Sequence, residues 1–270
     1  MKKIALLLLA LCPMLSCSYL TSLKYFKDGT EKCNNKDYKG AITDFDKALA
    51  IKPDYSDAYY GRGFAKSELS DYPGAIADYD KAIVFEPKNA GAYGNRGVAK
   101  HSLQDYKGAI ADYDKAIAIK PNDPLHYSNR GLANTALMNY TEAKSDFSIA
   151  IAINPKDALA FKCRGNLEDN HLEDYKGAVA DFTKAIEINP KDADLYQNRG
   201  FARFKLMDYP GSIEDNTKAI ALAPKAAIAY INRGLAQIAT GEKEKGCLDL
   251  RKAEALGSID ASEQISMYCK

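Results

Sequence analysis

From Ser22 onward, aromatic, small and apolar positions return every 34 residues. Within that frame slot 4 is aromatic, as Tyr25, Tyr59, Tyr93, Tyr127, Phe161, Tyr196 and Tyr230. Slot 8 is glycine, as Gly29, Gly63, Gly97, Gly131, Gly165, Gly200 and Gly234. Slot 20 is small, from Ala41 and Ala75 to Ser212 and Gly246, and slot 27 is alanine from Ala48 to Ala253. Proline fills slot 32 in six copies, at Pro53, Pro87, Pro121, Pro155, Pro190 and Pro224. The copies span 22–55, 56–89, 90–123, 124–157, 158–192, 193–226 and 227–260.

This pattern predicts two helices per copy. Asp37, Asp71, Asp105, Asn139, Asp174 and Asp208 are N-cap residue types placed just before the second helix. Pro73 and Pro210 fall in its first turn, where an amide donor has no helical partner to lose. The slot-32 proline ends it, because the ring clashes with the preceding turn. Glycine inside the first helix costs about 0.5–1 kcal/mol relative to alanine, so seven of them require a shared cause. Close helix contact at slots 8, 20 and 27 supplies one, with the aromatics of slots 4, 17 and 24 filling the space between hairpins.

A single hairpin cannot bury its aromatic face; a stack can. The pattern resembles the tetratricopeptide repeat (TPR) family. The resemblance implies an all-α fold, a right-handed superhelix (α-solenoid) of seven repeats whose first helices line a concave groove. Three departures stand out. The fifth copy has one extra residue within 166–174, a bulge or a longer turn. Asn216 replaces the usual Phe or Tyr of slot 24, which predicts looser packing. After the seventh copy, residues 258–269 read as a capping helix.

Slot 7 holds Arg62, Arg96, Arg130, Arg164, Arg199 and Arg233, and slot 23 holds Asp44, Asp78, Asp112, Asp146, Asp181, Asp215 and Asp249. An arginine at a packed interface needs a carboxylate. The first copy has Asp28 in slot 7 and no predecessor. The expectation is therefore that each arginine pairs with the aspartate of the preceding copy, as Arg62 with Asp44, rather than within its own copy.

Slots 2, 5, 9, 12 and 13 of the first helix should face the groove. Of these 35 positions only six are charged (Asp57, Glu68, Lys162, Asp169, Asp194 and Lys205), although charged residues make up 27% of the chain. A solvated face would be enriched in charge, so the depletion favours a contact surface. Apolar members include Phe26, Tyr60, Phe64, Val98, Leu132, Phe201 and Phe204. In copy seven all five are apolar, Ile228, Ile231, Leu235, Ile238 and Ala239; that last patch is expected to be buried. In slot 6, Asn95, Asn129, Asn198 and Asn232 match a peptide backbone unit, since an amide both gives and accepts hydrogen bonds. Some superhelical relatives hold an extended peptide with such a ladder. Gly61 and Cys163 interrupt it here, and local bonding of the amides is the alternative. Lys162, Asn166 and Asn198 occupy slots used by the carboxylate clamps of chaperone-binding relatives. The remaining basic slots are Ile228 and Asn232, so the clamp is incomplete.

The start of the chain carries a different signal. Lys2 and Lys3 precede a short apolar run, residues 4–11, too short to span a bilayer. Met14-Leu15-Ser16-Cys17 resembles a bacterial lipoprotein box in which residues 1–16 are a signal peptide, Cys17 is lipidated and 17–21 tether the repeats. By that resemblance Ser18 favours the outer membrane. An ordinary secretory signal cut nearby is the alternative, and either way the mature chain is exported. An oxidising envelope permits disulfides, and Cys247 with Cys269 would staple the capping helix; free thiols are the alternative.

A formal net charge of +1 gives no reason to expect nucleic acid. His101, His126 and His171 have no metal-ligand spacing, and no phosphate-cradling loop is present, so no metal, cofactor, small-molecule substrate or catalytic residue is expected. The combined reading is a non-enzymatic, lipid-anchored adaptor of a bacterial envelope that binds a protein or peptide in its groove. An assembly chaperone or pilotin-like factor for pilus or outer-membrane components is the rival.

Overall fold

A computed structural model describes residues 2–270, with side chains from Ser18 onward. The side chains of Cys17 and of the leader before it lie outside what is described, so the lipidation site is not seen. Among the described residues the chain is all-α, with fifteen helices and no strand. It divides into two compact units, Met1–Leu137 and Met138–Lys270. The first contains α1 (Lys2–Asn34), α2 (Tyr38–Ile51), α3 (Ser56–Glu68), α4 (Tyr72–Phe85), α5 (Ala90–Ser102), α6 (Tyr106–Ile119) and α7 (Pro124–Ala136). The second contains α8 (Tyr140–Ile153), α9 (Ala158–Asn170), α10 (Tyr175–Ile188), α11 (Ala193–Lys205), α12 (Tyr209–Leu222), α13 (Ala227–Ala239), α14 (Lys243–Ala255) and α15 (Ile259–Tyr268). Within each unit, consecutive helices pack as a solenoid-type stack of hairpins. Residues 18–21 continue helix α1 into the first repeat.

Local chemistry sets the helix ends. Asp37, Asp71, Asp105, Asp174 and Asp208 each accept a 3.0 Å hydrogen bond from the amide of Gly40, Gly74, Gly108, Gly177 and Gly211 respectively, as N-caps do. The residue before each of these caps is left-handed: Lys36, Ser70, Gln104, Glu173 and Met207 all have positive φ. That conformation lets the amide of Asp71 donate to the Lys66 carbonyl at 2.9 Å, closing the first helix. In the fifth copy α9 has the usual length and Glu173 keeps the left-handed place, so the extra residue lengthens the turn between them.

The core of each hairpin is the slot-24 side chain. Phe45, Tyr79, Tyr113, Phe147 and Phe182 are buried. The rings of Phe45, Tyr79, Tyr113 and Phe182 lie against the slot-8 glycines: a Cβ on Gly97 would stand 2.7 Å from Tyr113 Cε1, and one on Gly165 would stand 2.9 Å from Phe182 Cε1. The glycine therefore makes room for a ring of its own copy. The rings of slots 4 and 17, half-buried apart from the buried Phe161, flank the cores as expected: Tyr38, Tyr59, Tyr140, Tyr196 and Tyr230 pack against the apolar clusters. Slot-4 rings also lie under the slot-7 guanidinium one helical turn on, with Arg62 5.4 Å from the Tyr59 centroid and Arg96 5.4 Å from that of Tyr93.

In copy six, Asn216 is fully buried and donates to the Ser212 carbonyl at 2.9 Å, while its Oδ1 has no partner. At the C-terminus Ala261 and Ile265 of α15 join Ile231, Leu250 and Ala253 in one apolar cluster. Cys247 and Cys269 are disulfide-bonded, with Cα atoms 5.7 Å apart. The copy-seven patch is only partly covered. Ile228 is 55% exposed and Ala239 is exposed as well, because α15 docks on α14 and shields the middle of the α13 face.

Candidate functional site on the first helices

The arginine ladder orders the hairpins that carry the wall. Arg62 Nε donates to Asp78 Oδ2 at 2.9 Å and Nη2 donates to Asp78 Oδ1 at 2.5 Å. Arg96 holds Asp112, Arg164 holds Asp181, Arg199 holds Asp215 and Arg233 holds Asp249 in the same two-pronged way. The expected pairing of Arg62 with Asp44 is overturned: the slot-23 partner lies in the same copy. The two antiparallel helices of one hairpin bring slots 7 and 23 face to face, and a planar guanidinium fits both carboxylate oxygens. Asp44 is held instead by Lys32 at 2.6 Å and Lys47 at 3.1 Å.

The link to the preceding copy runs through slot 25, not slot 23. Arg62, Arg96 and Arg130 donate from Nη1 to Asp46, Asp80 and Asp114 at 2.5 Å. Arg164, Arg199 and Arg233 donate to the hydroxyls of Ser148, Thr183 and Thr217. An oxygen in every slot 25 from 46 to 217 was the available signal. Burial acts to lower the Arg62 pKa, but the hydrogen bonds it donates to Asp78 and Asp46 outweigh it and raise the group above its ordinary value.

With the hairpins held this way, first helices of successive copies touch: α1 with α3, α3 with α5 and α5 with α7 in the first unit, α9 with α11 and α11 with α13 in the second. Each run forms a wall. On the first wall Phe64, Val98 and Leu132, all slot 9, are 36%, 38% and 40% exposed. The expected site residues divide between the units: Tyr60, Phe64, Asn95 and Asn129 on the first, and Lys162, Asn166, Asn198, Phe201 and Asn232 on the second. Two pairs meet across copies. Asn95 Nδ2 donates to Tyr60 Oη at 3.0 Å, and Asn198 Nδ2 donates to Asn166 Oδ1 at 3.0 Å. Each amide thus spends one donor locally and retains its own carbonyl oxygen. Asn129 is half-buried. Asn232 is 8% exposed and so is not presented to a partner.

Lys162 lies 3.3 Å from Asp192 and 3.3 Å from Asp194; burial works against its charge, yet the two aspartates carry its pKa above the ordinary value. Asp169 is buried with Oδ1 unpartnered, and burial pushes its carboxyl up to about 6 while Lys205 pulls the other way. Cys33 and Cys163 are free thiols, half-buried on their first helices. A concavity of about 360 Å³ opens on the first wall around Gly61, lined by Phe26, Asp57, Tyr60 and Phe64 and floored by Phe45. Its signal in the sequence was the glycine that breaks the asparagine series.

A model of the TPR repeat matches residues 29–70, 67–104, 99–137 and 170–206, more than half of the chain. Among solved structures, a tetratricopeptide repeat protein from Parabacteroides merdae is 22% identical with a TM-score of 0.65, covering 93% of this chain and 100% of that one. PilF from Pseudomonas aeruginosa is 17% identical with a TM-score of 0.69, covering 78% and 96%. YrrB, a TPR protein with an unusual peptide-binding site, is 23% identical with a TM-score of 0.58, covering 68% and 95%. At these identities the likeness is one of fold. No curated protein matches the chain.

Proposed function

The chain belongs to the tetratricopeptide repeat family, and we propose from that premise that it is a non-enzymatic adaptor whose first-helix walls bind a segment of a partner protein. The observation that carries this reading is the row of exposed apolar side chains at slot 9, Phe64, Val98 and Leu132, on a surface poor in charge. Water contact with such a row is unfavourable by roughly 25 cal/mol per Å² of apolar area, so a docked segment gains from covering it. Local amides such as Asn95 and Asn198 supply direction, through hydrogen bonds to the segment's backbone. A crosslinking pulldown from whole membranes tests this. Partners recovered by the native chain should be lost from a Phe64→Ser, Val98→Ser, Leu132→Ser variant of unchanged helicity; equal recovery overturns the reading.

The same proposal places the adaptor in the cell envelope, exported by the basic and apolar leader and anchored through a lipid on Cys17. What supports it is the leader's composition and the small residue Ser16 before Cys17. Cys17→Ser should move the protein from the membrane to the soluble fraction; persistent membrane association counts against the anchor.

A further inference from the structure

The walls of the two units treat one pair of aromatic rings differently. In copy six, Lys205 (slot 13) sits 5.6 Å from the Phe201 centroid (slot 9) and 5.7 Å from that of Tyr175, the slot-17 ring of the copy before. The protein thus caps this ring pair with its own ammonium group. In copy two the same rings are present, Phe64 and Tyr38, with centroids 6.3 Å apart. Slot 13 there is Glu68, which accepts a 3.0 Å hydrogen bond from Tyr38 Oη. An acid has replaced the cation that covers the rings elsewhere.

Beside these rings lies the concavity at Gly61. Slot 6 is asparagine in four copies; in copy two it is glycine, and any Cβ there would stand 2.6 Å from Phe45 Cζ. The missing side chain leaves a space of about 360 Å³ walled by Phe26, Tyr60 and Phe64, with Asp57 at its edge. Asp57 forms no ion pair among the described residues. At the five groove slots of the first unit the charged residues are Asp57 and Glu68, both acids.

Resting on the segment-binding reading above, we infer that this concavity takes the arginine or lysine side chain of the bound segment. The side chain enters past Asp57, and its charged head stands over Phe64 toward Glu68, eleven residues along α3, in the place that Lys205 fills by itself in copy six. Ring faces attract a cation through their negative quadrupole, and nearby carboxylates strengthen that attraction. An apolar side chain would gain from the rings but would bring no counter-charge to either acid, Glu68 keeping only its hydrogen bond from Tyr38, and an acidic one would be repelled.

The test is an NMR titration of the full chain with four blocked tripeptides, Ala-Xaa-Ala with Xaa as Arg, Lys, Leu or Glu. The Gly61 and Phe64 amide signals should shift with the Arg and Lys peptides and much less with Leu or Glu. Asp57→Asn should weaken the Arg peptide about three- to tenfold, and Phe64→Leu should weaken Arg but not Leu. Glu68→Lys, an exposed change that copies the arrangement of copy six, should abolish the Arg response. Equal shifts from Leu and Arg, or an unchanged titration in Glu68→Lys, overturn the inference. Shifts confined to Asn198 and Phe201 overturn it too while leaving segment binding intact, since the membrane pulldown decides that question separately.

Discussion

Arg96 grips Asp112, sixteen residues on in its own hairpin, through bonds of 2.9 and 2.5 Å, while its third nitrogen reaches Asp80 of the hairpin before. The two carboxylates differ in setting: Asp112 has 4% of its side chain exposed and Asp80 has 54%. Removing one partner of a buried pair costs about 3–5 kcal/mol, because the other charge is left without compensation. An exposed pair is worth about 0–1 kcal/mol. Double-mutant cycles in urea unfolding should therefore give a large coupling for Arg96 with Asp112 and a small one for Arg96 with Asp80. The reverse order would mean that the ladder's strength lies between copies.

Copy six carries a polar defect. Replacing Asn216 and Ser212 by Phe and Ala reproduces the Phe182 and Ala178 pair of copy five, in which both are buried. The change removes the unpartnered Oδ1 and adds a ring against Gly200. Urea denaturation should show a gain of about 1–3 kcal/mol. A loss would show that the space cannot admit the ring.

The left-handed residue after each first helix gives a backbone prediction. Gln104 holds φ 63°, whereas the corresponding residue of copy seven is Gly241 at φ 89°. Gln104→Gly should stabilise the chain by about 0.5–1 kcal/mol and Gly241→Ala should destabilise it by about 1 kcal/mol. Thermal melts of the two variants should move in opposite directions.

Asp169 makes stability depend on pH. Its folded pKa, pushed up to about 6 by burial, lies above its ordinary value of 3.8. The folded state therefore binds more protons than the unfolded one between those values, and stability falls as pH rises through that window. The penalty is absent below pH ~4 and complete above pH ~7. Asp169→Asn should raise stability at pH 7.5 by about 1–3 kcal/mol and leave it nearly unchanged at pH 3.5. An equal gain at both values would assign the effect to packing instead.

The repeat and its glycine slots were legible because each recurs seven times over, and the helix caps because one local rule recurs at five of the second helices. Asp71 caps α4 for reasons contained in its own segment. The partner of Arg62 was not legible, since Asp44 and Asp78 recur in one slot and only the approach of two helices separates them. The slot-25 oxygens were not legible as arginine partners, because aspartate, serine and threonine share that role without sharing a charge. At the candidate site, Phe64 and Asn95 could be placed on the wall from spacing alone. The Asn95 bond to Tyr60, the burial of Asn232 and the space beside Gly61 depend on contacts between copies, which spacing does not fix.

Partner binding as proposed requires the first-helix wall to be the surface that meets a partner. A photoactivatable crosslinking residue at Val98, on that wall, compared with one at Val84, 69% exposed on second helix α4, tests this directly in intact cells. Adducts from position 98 and none from position 84 are the predicted result. Adducts from 84 alone, or equally from both, would contradict it.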